Sequence, residues 1–225
     1  MVINVHAGHN PDGKTACGAV GIIKESTEAR KVKDKVVSKL KSLGHTVYDC
    51  TCEDGASQTD VLNKIVAKCN RHTADLDVSI HFNAGANDRA GNGTTTGTEV
   101  LVYSSTSGSN NYANKIVKAV SATGFKNRGV KVRNDLYYLK KVKAPALLVE
   151  CCFVDDRDDV KLYDAEKMAE AIVYGITGKK AEVKDTASSG TVYKVQVGAY
   201  SKKENAETMQ KKLKLAGFDA VVVKA

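Results

Sequence analysis

Val2-Ile3-Asn4-Val5-His6-Ala7-Gly8-His9-Asn10 opens the chain as an apolar run ending in a glycine turn that presents a histidine. A short β-branched run closed by glycine reads as a buried strand feeding a turn. Two later stretches have the same form. Asp77-Val78-Ser79-Ile80-His81-Phe82-Asn83 ends on a histidine, and Ala146-Leu147-Leu148-Val149-Glu150-Cys151 on a carboxylate. Open α/β sheets bind ligands outside the carboxyl ends of their strands. Three strands that each deliver a metal-competent side chain there predict one site at a common sheet edge.

Helical patterns alternate with these strands. Ala29, Val32, Val36, Leu40 and Leu43 recur at spacings of three and four, predicting a helix over 24–43 that Gly44 ends. Residues 45–49 read as a strand, and Ser57 opens a helix with Val61, Ile65, Val66 and Cys69 inward. The Gly-, Asn- and Thr-rich residues 83–96 exceed ordinary loop length and are expected to line or rim a site. A strand over 98–103 and a helix over 111–122 follow. Short extended pieces at 130–132 and 136–139 precede the third strand, and a helix over 165–176 closes the domain. The alternation predicts an α/β fold, its largely parallel or mixed sheet covered on both faces.

The chain has 225 residues, enough for one ordinary domain and a small extra module. Residues 1–178 read as that domain. Residues 179–190 are polar and aperiodic, a linker. Residues 191–225 read as a β-α-β module, with Ser201 and Glu204 forming a capping box between an alternating strand and a final strand over 218–223. No apolar run approaches a membrane span. The six cysteines lack zinc-finger spacing and read as buried thiols. Net charge is +8, with ten Lys against five Asp or Glu from residue 179 onward. A basic tail suits a polyanionic partner. With no Trp and 6% aromatics, a base-stacking surface is poorly supported, so no nucleic acid is expected.

A hydrolytic zinc site takes about three His, Asp, Glu or Cys ligands and leaves a position open, with a separate carboxylate as general base. The candidates are His9, His81, Glu150 and a glutamate early in the first helix. Glu25 and Glu28 lie one helical turn apart, and spacing does not choose between them. His6 is a weaker candidate, three residues before His9; His45 and His72 read as surface or helix-end residues.

The pieces His6-Ala7-Gly8-His9, Ile23-Lys24-Glu25, Ser79-Ile80-His81-Phe82-Asn83-Ala84, Asn127-Arg128-Gly129-Val130-Lys131 and Pro145–Phe153, in this order, resemble the zinc-dependent N-acetylmuramoyl-L-alanine amidases of the amidase-3 type, which include clostridial phage endolysins. The resemblance covers about residues 1–177 and implies a mixed, roughly six-stranded sheet flanked by helices. It implies Zn2+ held by His9, Glu25 and His81, with Glu150 as general base in hydrolysis of the muramyl–L-alanine amide of bacterial peptidoglycan. Asn83 is a candidate for oxyanion stabilisation and Arg128 for clamping a stem-peptide carboxylate. The sequence departs from the family at His6, where an acid is common, and at Asn10-Pro11, where two glycines are common.

Residues 191–225 resemble the first half of a SPOR domain, a peptidoglycan-binding module. Half a module leaves sheet edges uncovered, so a homodimer through these residues is expected, together with salt-sensitive attraction to anionic wall polymers. The first strand begins at Val2, so the chain is expected to be made in the cytoplasm without a cleavable signal and released to the wall by a holin-type route. A zinc peptidase acting on stem peptides and a non-catalytic basic wall-binding protein are the rival readings.

Overall fold

The structure, a computed structural model, describes residues 1–180, 197–215 and 221–223. It divides into two compact units, Met1–Glu182 and Val183–Ala225. The first is built on a six-stranded sheet in the order β2-β1-β3-β6-β4-β5. Its strands are β1 (Val2–Ala7), β2 (Thr46–Asp49), β3 (Leu76–Asn83), β4 (Thr98–Val102), β5 (Asn127–Val132) and β6 (Ala146–Phe153). All neighbours are parallel except β4 and β6, which run antiparallel.

Strand alternation sorts the helices onto two faces. Ile3, Val5, Val78, Ile80, Leu147 and Val149 point to one face. There they pack with Val32 and Val36 of α1 (Glu25–Ser42), Ile116 and Val120 of α3 (Asn110–Ser121), and Met168 and Ile172 of α6 (Ala165–Thr177). Leu101, Ala146 and Leu148 point the other way. They meet Val61 and Ile65 of α2 (Gln58–Cys69) and Tyr138 and Leu139 of α4 (Tyr137–Lys141). The first face is almost wholly apolar. The second carries polar side chains in the strands themselves: Asn4, His6, Asp77 and Ser79 are all buried.

The first helix opens at Glu25, and Gly44 sits beyond its end at φ 83°. Ser57 caps α2 by accepting a hydrogen bond from the Asp60 amide. Two expectations need correction. Residues 136–139 are not extended; Leu136 caps the short helix α4, whose Tyr138 and Leu139 are driven inward against the sheet. A further short helix, α5 (Arg157–Leu162), was not anticipated; Asp156 caps it through the Asp158 and Asp159 amides. Residues 84–97 do not line the cavity beside the sheet edge. Aspartates following β6 pin this loop instead. Asp155 accepts from the amides of Gly85, Ala86 and Asn87, Asp158 from Asn92 and Gly93, and Asp159 from Gly97.

In the second unit α7 (Lys203–Leu215) occupies the expected helical stretch. The strand expected over 191–198 lies outside the described residues except for 197 and 198, which are not in a strand. That over 218–223 is described only at 221–223, also not in a strand. Among the described residues no helix is long and apolar enough to cross a membrane.

Candidate active site

The chain order makes a crevice at β1 and β3. The connection from β1 through α1 leads to β2 on one side, and the next, through α2, leads to β3 on the other. This reversal opens a gap at the strands' carboxyl ends. His9 stands in the loop after β1, His81 at the end of β3, and Glu25 is the first residue of α1. Their ligand atoms lie within 4.8 Å of one another. Glu25 Oε1 lies 2.9 Å from His81 Nδ1 and 3.3 Å from His9 Nε2. The carboxylate also accepts the amides of Phe82 and Ala19. Burial acts to raise its pKa, but the hydrogen bonds from His81 and His9 outweigh it and hold the carboxyl well below the usual range.

Local sequence makes room for this convergence. A Cβ on Gly8 would sit 2.0 Å from His81 Cε1, so only glycine lets the imidazole lie across β1. A Cβ on Gly18 would sit 2.5 Å from Glu25 Oε2, and its φ of 80° is glycine territory as well. His9 holds a left-handed φ of 65° despite its side chain. The following residue explains how. Asn10 is fully buried, and its side chain donates to the Thr15 and Gly55 carbonyls and accepts from the Gly55 amide. The Arg30 guanidinium donates to the His9 carbonyl at 3.0 Å. Asn10 is thus the clasp of the loop that carries His9.

The structure separates the two glutamates left open by spacing. Glu28 faces away, its carboxylate taken by Lys31 and the Tyr163 hydroxyl. His6 is not at the cluster either. It is sealed inside β1 with its ring edge-on to Tyr138 at 4.6 Å, and burial lowers its pKa to about 3.

Glu150 lies opposite His81 in the β3–β6 register and opposite Glu99 across β4. Its Oε2 is sealed from solvent without a hydrogen-bond partner. Burial, then the charges of Glu25 and Glu99, push its carboxyl up to about 8, opposed by Arg133. An acid so placed is crowded by like charge until a cation arrives. Two imidazoles, one depressed carboxylate and a nearby orphaned one are a donor set suited to zinc, so the residues present fit the metal.

Asn83 and Arg128 meet through a residue the sequence reading passed over. Glu99 accepts from Asn83 at 3.1 Å and from Arg128 Nε at 2.8 Å, and the Arg128 guanidinium lies 5.0 Å over the Phe153 ring. The signal was present: a lone glutamate in an otherwise apolar strand. A cavity of about 260 Å³ runs from His9, His81 and Glu150 in under α2 and α4, with Arg133 and Tyr137 among its lining. Asp88, Asp156 and Asp158 form a second acidic group, with Asp156 and Asp158 occupied by backbone amides.

The N-acetylmuramoyl-L-alanine amidase family Amidase_3 matches residues 3–178, and the SPOR domain family matches residues 165–224. The SPOR match begins in α6, whose inner face is built into the sheet core. An uncharacterised Clostridium perfringens protein is 41% identical over 164 residues, 72% of this chain and 47% of that protein. A sporulation-specific N-acetylmuramoyl-L-alanine amidase of Bacillus subtilis is 30% identical, covering 72% of this chain and 62% of its own. The chain spans about half the length of the first C. perfringens relatives it matches. Among solved structures, the catalytic domain of the CD27L endolysin targeting Clostridia difficile superposes with a TM-score of 0.71 at 26% identity, covering 80% of this chain and 98% of that domain. The family match takes in all but the first residue of the described sheet and every residue of the converged cluster: the chain belongs to the N-acetylmuramoyl-L-alanine amidase family Amidase_3.

Proposed function

We propose that the chain hydrolyses the amide joining the lactyl group of N-acetylmuramic acid to L-alanine in peptidoglycan, with zinc held by His9, Glu25 and His81 and with Glu150 as general base. The observation that carries this reading is the convergence of His9 Nε2, Glu25 Oε1 and His81 Nδ1 beside the orphaned carboxylate of Glu150. When bound, the ion contributes Lewis-acid polarisation of the amide carbonyl and of water. The protein's part is positional. Glu25, held by the amides of Phe82 and Ala19, fixes both imidazoles. Glu150 takes a proton from the attacking water and returns it to the departing L-alanine amine. Asn83 and Arg128, both oriented by Glu99, meet the developing oxyanion and a stem-peptide carboxylate respectively.

Similarity to an endolysin catalytic domain supports a role in phage lysis, with holin-type release of a chain made in the cytoplasm. The SPOR match supports wall binding by the C-terminal segment. Its exposed Val221, Val222 and Val223 suit pairing with a second copy. The test of the activity is purified protein on isolated peptidoglycan, with and without a chelator, and products identified by mass. A freed L-alanine amine on intact glycan, lost with the chelator, is the expected result. New reducing ends, or release of terminal residues from the stem, would reject it.

A further inference from the structure

The three converged side chains stand on unequal supports. His81 lies on β3 and Glu25 opens α1, whereas His9 stands in the loop after β1. Side chains carried on strands and helices are held more precisely than side chains on loops. His9 also has a φ of 65°, a left-handed conformation that a non-glycine residue keeps only where its surroundings over-determine it. The accuracy of the cluster therefore depends on what fixes the backbone at His9.

That backbone is held from α1. The Arg30 side chain is 17% exposed, and all three of its guanidinium nitrogens are committed. Nη2 donates to the His9 carbonyl at 3.0 Å and to the Cys52 carbonyl at 2.9 Å. Nη1 donates to the Ser26 carbonyl at 3.1 Å, and Nε to the Glu53 carboxylate at 3.2 and 3.3 Å. Glu53 is 55% exposed, and an exposed ion pair adds little, so the three carbonyls are what the guanidinium chiefly serves. Its planar fork fixes their direction as well as their distance. Arg30 and Glu25 share one helix, so the bond to the His9 carbonyl ties two of the three converged residues to a single rigid element. The loop after β2 supplies none of the three, yet through Cys52 it fixes the other side of the same nitrogen.

We propose that Arg30 is a positioning residue for the metal: through the His9 carbonyl it holds His9 Nε2 beside Glu25 Oε1, and so sets the affinity of the site for zinc. The proposal rests on the reading of His9, Glu25 and His81 as zinc ligands. Asn10, one residue further on, sews the same two loops together through Gly55, and Arg30 completes the hold from the helix side.

The experiment measures zinc affinity of the full chain, by competition with a chromophoric chelator, in the wild type, Arg30→Met, Arg30→Lys and Lys33→Met. Lys33 is the control on the same helix: it is 6% exposed, and its bonds go to Asp34 and Asp49 and none to His9. Arg30→Met is expected to bind zinc about 10–100-fold more weakly. Arg30→Lys should fall between it and the wild type, because an ammonium reaches a carbonyl without holding the direction of a fork. Lys33→Met should lose stability in denaturant and keep its zinc affinity. A folded Arg30→Met with wild-type affinity overturns the assignment. So does an equal loss in Lys33→Met, which would make the effect one of overall stability. Where Arg30→Met does not fold, Arg30→Lys decides: weaker binding supports the assignment and unchanged binding overturns it. A wild-type chain that takes up no zinc overturns the metal reading itself, and the positioning with it.

Discussion

Glu150 and Gly8 separate two ways of disabling the same site. Glu150 lies beside the converged trio and is not part of it, so Glu150→Gln preserves the shape of the proposed metal site while removing the carboxylate proposed as general base. The expected outcome is about one zinc per chain by elemental analysis and a loss of about 10²–10⁴-fold in amide cleavage. Gly8 carries no chemistry at all. Adding one methyl there puts a carbon 2.0 Å from His81 Cε1 and must turn the imidazole away. Gly8→Ala is therefore expected to bind little zinc while its circular dichroism stays that of the wild type. A Gly8→Ala protein with full zinc content would show that His81 does not need its position across β1.

Elements decide how much of this was readable beforehand. The strands carrying His81 and Glu150 announced themselves because residues facing α1, α3 and α6 are uninterrupted hydrophobes, which leaves the intervening polar ones conspicuous. The choice between Glu25 and Glu28, both on α1, was not readable, since one turn separates them and only the packed angle of α1 on the sheet decides which faces His81. The short α4 and α5 escaped because five or six residues cannot show a helical period, and α4 opens on two tyrosines, whose propensity leans to strands. The buried polar face of β1 and β3 was also missed, and it has a consequence for stability. Asp77 Oδ1 accepts from Asn4 at 2.6 Å while Oδ2 has no partner, and burial raises its carboxyl from 3.8 to about 6. Between those values the folded chain keeps a proton that the unfolded chain has lost. The stability contributed by this group is therefore greatest below pH 3.8, falls as pH rises, and is lost above about pH 6. The loss is about 2–3 kcal/mol. Asp77→Asn should remove that slope and be the more stable protein at pH 7.5. Denaturant unfolding of both chains at pH 4.5 and 7.5 measures it, and an unchanged difference between the two pH values would contradict the assignment.

Along the whole sequence, the excess of positive charge and the candidate site fall in different stretches. Residues 1–178 carry 24 basic and 21 acidic groups, close to balance, whereas the remaining 47 residues carry ten Lys against five acids. The site itself gathers Glu25, Glu99 and Glu150, so it offers little attraction to an anionic wall. On the proposed reading, retention on the wall is then expected from the C-terminal segment, which is also where the SPOR match ends. Because those charges act through water, their reach shrinks from about 8 Å at physiological ionic strength to about 3 Å at 1 M salt. The full chain is expected to leave purified walls as salt rises, whereas residues 1–178 alone should bind weakly at every salt concentration. Cleavage of a soluble muramyl dipeptide tests the other half of the division: it needs only the sheet-edge site, so truncation should leave its kcat/KM within about twofold of the full chain. Retention by residues 1–178 equal to that of the full chain, with the same salt profile, would place the wall-binding charge on the sheet unit after all.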